Sequence, residues 1–217
     1  MFHLLLNLKG YEASVGSQAQ NFLQGCPESN SKPGWKISYA VNPIDLACSS
    51  RIPKREIISQ HVDPNPCGPY TGKISIDSLI SIGIRGSLLN HSENRIPLKQ
   101  IELTIQRARS LGFEIIVCAA DEAEVAMIAK LSPNSIAYEP PALIGGNISV
   151  SSSKPEIIEK AGIICGKYGV NLFVGAGIKN NDDVKKSLDL GANGVLVASG
   201  VVLSKNPIHA INSLINF

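Results

Sequence analysis

The sequence predicts an α/β chain, a (β/α)8 barrel of eight parallel strands forming one compact domain over residues 1–217. Three observations carry this expectation. Short β-rich runs alternate with segments of helical periodicity along the whole chain, which argues for a parallel sheet with right-handed crossovers. Eight such runs fit within 217 residues, near the low end of the usual size for this barrel. Apolar residues make up 44% of the chain, with 27 Ile against 5 Phe and 1 Trp, an aliphatic bias that suits strands covered on both faces. A doubly wound open sheet is the structural rival, but no GxGxxG follows the first strand.

The strands are expected at His3–Leu6, Lys36–Val41, Glu56–Gln60, Ile84–Leu89, Glu114–Cys118, Ser135–Glu139, Val170–Gly175 and Gly194–Ala198. Between them the apolar spacing predicts helices. Pro97, at a first-turn position, opens a stripe at Leu98, Ile101, Ile105 and Ala108 that Gly112 closes. Asp121–Leu131 places Val125, Ile128 and Ala129 on one face. Pro155 opens a helix with Ile157, Ile158, Ala161, Ile164 and Cys165 inward, stopped by Gly169. Asn181 is the expected N-cap of the next, with Asp182 and Asp183 in its first turn and Gly191 at its end. Asn206-Pro207 starts the last helix, with Ile208, Ile211 and Ile215 facing inward. Shorter helices are read near Ser17–Gly25 and Pro43–Ser50.

Charge and cysteine usage narrow the function classes. Twenty basic residues against 18 acidic leave a formal net charge of +2, with no footprint for nucleic acid or a membrane surface. The five cysteines, at 26, 48, 67, 118 and 165, are odd in number and form no CxxC. Reduced thiols are therefore expected, without a zinc site or a disulfide framework. The start, MFHLLLNLKG, lacks a basic n-region and a long apolar run, so no secretory signal is read there. A soluble cytoplasmic protein is the expectation.

In a barrel of this kind chemistry sits where strands end and loops begin. Asn7 and Lys9 follow the first strand, and His91, Ser92, Glu93 and Arg95 follow the fourth. Glu139 ends the sixth, before Pro140-Pro141-Ala142-Leu143-Ile144-Gly145-Gly146. That segment has the makeup of a lid or of an ordinary turn. Gly175-Ala176-Gly177 and Ala198-Ser199-Gly200 are small-residue turns on adjacent strands, where backbone N–H groups can approach a phosphate. Glu139 reads either as a salt-bridged rim carboxylate or as a general base whose pKa an apolar lid raises. His91 sits where a short helix could begin, which would keep its imidazole neutral and able to donate to a carbonyl. A lone His is more often structural, and Lys9 could equally be a surface lysine. Taken together, Lys9, His91 and Glu139 with a phosphate cup suggest proton abstraction beside a carbonyl, with the oxyanion held by a neutral donor and a cation. No metal or other cofactor is expected, because no His/Asp/Cys cluster supplies ligands.

At these residues the sequence resembles the triosephosphate isomerase family, in its short archaeal-like form, over essentially the whole chain. The resemblance rests on Asn7-Leu8-Lys9, on Leu89 through Arg95 (LNHSENR), on Ala137-Tyr138-Glu139-Pro140 with the loop after it, and on the turns Gly175–Ile178 and Val197–Gly200. It implies a TIM barrel that interconverts dihydroxyacetone phosphate and glyceraldehyde 3-phosphate through an enediolate, in glycolysis and gluconeogenesis. By resemblance Glu139 shuttles the proton, His91 is the neutral electrophile and Lys9 stabilises negative charge. Asn7 holds the substrate oxygens, Leu8 binds substrate beside it, and backbone amides near Ile144, Gly177, Ala198 and Ser199 hold its phosphate. Glu93 orients the site without touching carbon. Gln60, and Thr71-Gly72 after a Pro-rich stretch, resemble a loop that enters a partner subunit, so the loop over residues 60–73 implies a homodimer or homotetramer. Cys118 resembles a cysteine common in the family and is read as packing. The lid exit here is Gly145-Gly146-Asn147 rather than G-T-G, and Ala198-Ser199 stand where the longer enzymes have two glycines. Two other readings stand beside this one: another metal-free phosphosugar isomerase, and a silent barrel that only binds a phosphometabolite.

Overall fold

The structure is a computed structural model, and it describes residues 1–140, 155–175 and 177–217. Eight parallel strands close into a barrel in sequence order: β1 (Phe2–Asn7), β2 (Trp35–Val41), β3 (Glu56–Ser59), β4 (Gly86–Leu89), β5 (Glu114–Ala119), β6 (Ser135–Tyr138), β7 (Asn171–Val174) and β8 (Gly194–Val197). β8 returns to pair with β1, His3 lying opposite Gly194, so the sheet has no free edge.

The period of two along each strand sorts the side chains into two cores. Leu5, Ala40, Ile58, Leu88, Ile116, Cys118, Ala137, Phe173 and Leu196 fill the barrel interior. The alternate residues, among them Leu4, Leu6, Ile37 and Val117, pack outward against the helices. Below the interior layer, the N-terminal end of the barrel is polar. Lys36 reaches Glu56 at 2.7 Å and Glu114 at 3.6 Å, and His3 Nε2 lies 2.8 Å from Ser38 Oγ. Phe173 stands edge-on to His3 at 5.0 Å. Gly194 is required there, because a Cβ would lie 2.3 Å from the His3 carbonyl oxygen.

The expected strands are all present, with ends moved by a few residues: β4 begins at Gly86 rather than Ile84, and β7 runs Asn171–Val174 rather than Val170–Gly175. Other departures have local causes. Asn180, not Asn181, caps the helix Asn181–Asp189, because its side chain accepts from the Asp183 amide. Asn181 instead donates to the Asn216 carbonyl at 2.8 Å. Pro97 precedes its helix, which starts at Leu98; that first-turn leucine is 44% exposed while Ile101, Ile105 and Ala108 are buried. Ile208 is likewise 42% exposed at the start of the helix Pro207–Leu214, where Leu214 is buried in addition to Ile211 and Ile215.

Among the described residues, the 3-10 turn Glu12–Ser14 and the helix Ile76–Ser81 have no counterpart in the sequence reading, whereas a short helix after the eighth strand does. Ile76–Ser81 is capped by Ser75, which accepts from the Ser78 amide. Ser199–Val202 follows β8 directly. The loop after β3 is closed at its neck by Asp63, whose carboxylate accepts from the Ile74 amide at 3.0 Å and from Lys73 Nζ at 3.1 Å. Cys67, Tyr70 and Thr71 are exposed beyond that neck. The five cysteines are free. No helix of the described residues is long and apolar enough to cross a membrane.

Candidate active site

Alternation along the strands carries selected residues to the C-terminal mouth of the barrel. Two residues beyond Leu5, Ala137, Phe173 and Leu196 of the interior layer come Asn7, Glu139, Gly175 and Ala198. They surround a cavity of about 280 Å³ that Lys9, His91, Gly177 and Ser199 also line.

The β1 turn is held in an unusual shape. Lys9 has φ +52°, a left-handed conformation that a non-glycine residue rarely adopts. Asn7 Oδ1 accepts the Lys9 amide at 3.0 Å. Gln60 Nε2 then donates to Asn7 Oδ1, the Lys9 carbonyl and the Ala40 carbonyl at 3.0–3.2 Å. These bonds aim Lys9 Nζ across the mouth, where it meets Glu93 Oε1 at 2.6 Å. Leu8 is fully buried in the outer core and does not line the cavity.

His91 is buried at the same rim, 7% exposed. No helix begins there; a single turn follows, closed by the Asn94 amide on the His91 carbonyl at 2.8 Å. Neutrality has other causes than a helix N-terminus. Burial lowers the His91 pKa most, the Lys9 charge lowers it further, and Glu93 opposes them. The Glu93 amide donates to His91 Nδ1 at 3.2 Å. An acceptor at Nδ1 leaves the proton of a neutral ring on Nε2. That nitrogen lies 3.6 Å from Glu139 Oε2.

Glu139 is 6% exposed, and its amide is tied to the Ala119 carbonyl at 2.9 Å. Burial pushes its pKa from 4.5 up to about 7, against the pull of a hydrogen bond from the Cys118 thiol and of Lys9. Oε2 has no hydrogen-bond partner among the described residues. Gly175 makes room for the side chain: a Cβ there would lie 2.5 Å from Glu139 Cγ. The Cys118 thiol pKa is raised well above its usual value by burial and by Glu139, so it is no thiolate nucleophile.

On β7 and β8 the lining is backbone-rich. Gly177 has φ +72°, which suits glycine, and Ala198 leads into the Ser199–Val202 turn of helix. The mouth thus combines a carboxyl of raised pKa whose Oε2 is unpartnered, a neutral imidazole, a lysine and small-residue turns. The match to the family model described as triosephosphate isomerase runs from residue 2 to residue 216. The chain belongs to the triosephosphate isomerase family. It is 48% identical over 215 residues to the triosephosphate isomerase of Thermoplasma volcanium, covering 99% of this chain and 100% of that one. It is 38% identical over 218 residues to that of Methanocaldococcus jannaschii, covering 99% of each, and 37% identical over 214 residues to that of Methanothermus fervidus, covering 98% and 96%.

Of the residues expected to matter, Asn7, Lys9, His91, Glu139, Gly177, Ala198 and Ser199 meet at one cavity of this isomerase-family barrel. Glu93 is in direct contact with Lys9 while its side chain is 60% exposed. Thr71 is exposed and away from the cavity. Ile144, the Gly145-Gly146-Asn147 exit, Ala176 and all of the expected lid beyond Pro140 lie outside the described residues. Sequence reading missed two supports: Gly175 as the space for Glu139, and Gln60 as the brace of the Lys9 turn. The period of two, continued past β3 and β7, points to both.

Proposed function

We propose that this chain interconverts dihydroxyacetone phosphate and D-glyceraldehyde 3-phosphate by enediolate proton transfer. The observation that carries the reading is the buried Glu139 carboxyl, of raised pKa and with a free Oε2, facing a neutral His91 across the cavity. The Glu139 carboxylate takes the pro-reactive proton from carbon 1. The C–H electron pair becomes the C1=C2 bond, and the carbonyl π pair moves to oxygen. His91 Nε2–H and Lys9 Nζ stabilise the charge that develops on that oxygen. His91 Nε2 gives its proton to the oxygen on carbon 2 and takes one back from the hydroxyl on carbon 1, and the Glu139 carboxyl returns its own proton to carbon 2 as the carbonyl re-forms at carbon 1. A base whose pKa lies near the working pH can both take and return the proton.

Asn7 keeps the Lys9 turn in place and faces the substrate oxygens. Backbone amides near Gly177, Ala198 and Ser199, joined by Ile144, hold the phosphate. Glu93 holds Lys9 until substrate oxygens compete for it. The work of the protein lies in glycolysis and gluconeogenesis, in the cytoplasm, without a cofactor. The closed neck at Asp63 and the exposed Cys67–Thr71 tip support a homodimer or homotetramer in which this loop meets a second subunit.

A coupled assay with dihydroxyacetone phosphate tests the reading: dehydrogenase-linked consumption of glyceraldehyde 3-phosphate should require this protein and vanish in Glu139→Gln. No turnover by the folded wild type would refute it, leaving a barrel that only binds.

A further inference from the structure

His91 hangs from one residue, Asn90, which follows β4. Asn90 is 1% exposed and has φ +60°. Glycine would take that backbone conformation without strain, so the conformation alone does not call for asparagine. The side chain does. Asn90 Nδ2 donates to the Cys118 carbonyl at 2.9 Å and to Glu124 Oε1 at 3.2 Å. Asn90 Oδ1 accepts the Ile96 amide at 3.1 Å. That last bond closes the segment 91–95 into a loop of fixed shape.

Glu124 decides which way round the amide sits. An ionised carboxylate only accepts, so the NH2 end of Asn90 must face it, leaving the oxygen for Ile96. Glu124 is itself fastened twice, by the Arg95 guanidinium and by the Ala120 amide on Oε2 at 2.7 Å. One carboxylate, 14% exposed, therefore joins the His91 loop to the end of β5, where Cys118 bonds Glu139.

We infer that Asn90 and Glu124 are positioning residues for His91, fixing its neutral Nε2–H tautomer and its aim into the cavity. The inference rests on the reaction proposed above. The route is local. His91 Nδ1 takes its proton-free form from the Glu93 amide at 3.2 Å, and that amide belongs to the loop Asn90 closes. Without the closing bonds the amide is released, and the Nδ1–H tautomer competes. That tautomer presents a lone pair, not a proton, to the substrate oxygen.

The test compares wild type, Asn90→Gly and Glu124→Gln by imidazole 15N NMR at neutral pH and by kcat and KM. The wild type should show one neutral His91 tautomer, with the proton on Nε2. Asn90→Gly keeps the backbone but loses every side-chain tie. It should show mixed tautomers and a kcat lower by on the order of 10²-fold, the effect of a misplacement of about 1 Å, with KM little changed. Glu124→Gln keeps an acceptor for Asn90 but weakens the Arg95 tie, and should fall between the two. An unchanged tautomer in folded Asn90→Gly overturns the inference, whether kcat is wild-type or reduced, since a reduced kcat alone marks a merely structural role. Should Asn90→Gly not fold, the same readouts on Glu124→Gln decide. A wild type without isomerase activity would refute the proposed reaction, and the tautomer comparison would still test the clamp.

Discussion

Replacing Glu139 with Gln should make the protein inactive and more stable at once. The residue is 6% exposed, and folding raises its pKa from 4.5 to about 7. The folded state thus binds this proton more tightly than the unfolded chain does. Below pH 4.5 both states are protonated and the residue does not oppose folding on this account. As pH rises from 4.5 towards 7 the unfolded chain ionises first, and native stability falls. Above about 7 the full opposition is present: the gap between the two values, at about 1.36 kcal/mol per pH unit, is about 3 kcal/mol. Gln has nearly the same shape and cannot ionise, so it removes that opposition. In a chain of this size about 3 kcal/mol corresponds to roughly 6–12 °C in Tm. Thermal unfolding of both proteins at one fixed protein concentration should show equal Tm at pH 4, a gap opening between pH 5 and 7, and a plateau above it. Activity should fall by on the order of 10²–10⁴, the usual contribution of a general base. A Gln variant no more stable than wild type at pH 8.5, or a gap that ignores pH, would mean that burial does not disfavour this carboxylate.

Other outcomes follow from the same geometry. A 13C NMR titration of the Glu139 carboxyl should show its midpoint near 7 in the free protein, and kcat/KM should rise with pH towards that value as the base ionises; a midpoint near 4.5 would contradict the burial argument. Glu139→Asp, which withdraws the carboxylate by one methylene, should lower kcat by on the order of 10²-fold with KM little changed; wild-type turnover would reduce Glu139 to a rim carboxylate. Gly175→Ala puts a methyl 2.5 Å from Glu139 Cγ. It should displace the base and cut kcat more than tenfold, at an overpacking cost of about 1–3 kcal/mol in stability, and full activity would show that the mouth yields. Light scattering at assay concentration should find a dimer or tetramer, and a fully active monomer would rule out a catalytic need for the loop at Cys67–Thr71.

Much of the site is legible in the sequence because it follows from one rule, the period of two. Once β6 is recognised, Glu139 must lie two residues above the buried Ala137, and Ala198 stands likewise above Leu196. The sequence predicts a neutral His91 for a different reason, the N-terminus of a short helix at that position. The chain makes only one turn there, and burial with Lys9 does the same service. The short helix Ile76–Ser81 is absent from the sequence reading because six residues are too few for a helical period to stand out. Asn90 and Glu124 were invisible for a different reason. They are 34 positions apart and ordinary in type, and only barrel closure makes them neighbours. Capping of the helix Asn181–Asp189 turned on which of two adjacent asparagines reached the Asp183 amide, a choice that composition does not encode.

The polar floor of the barrel has its own consequence. Lys36, paired with Glu56 and Glu114 at the N-terminal end, lies on the same strand as Ala40, whose carbonyl braces Gln60 at the mouth. Between them Ser38 and the apolar interior layer keep the two ends out of contact. The two ends can therefore vary independently. Selection of this protein for heat tolerance should collect its changes around the Lys36 floor and leave the mouth, Asn90 and Gly175 included, untouched.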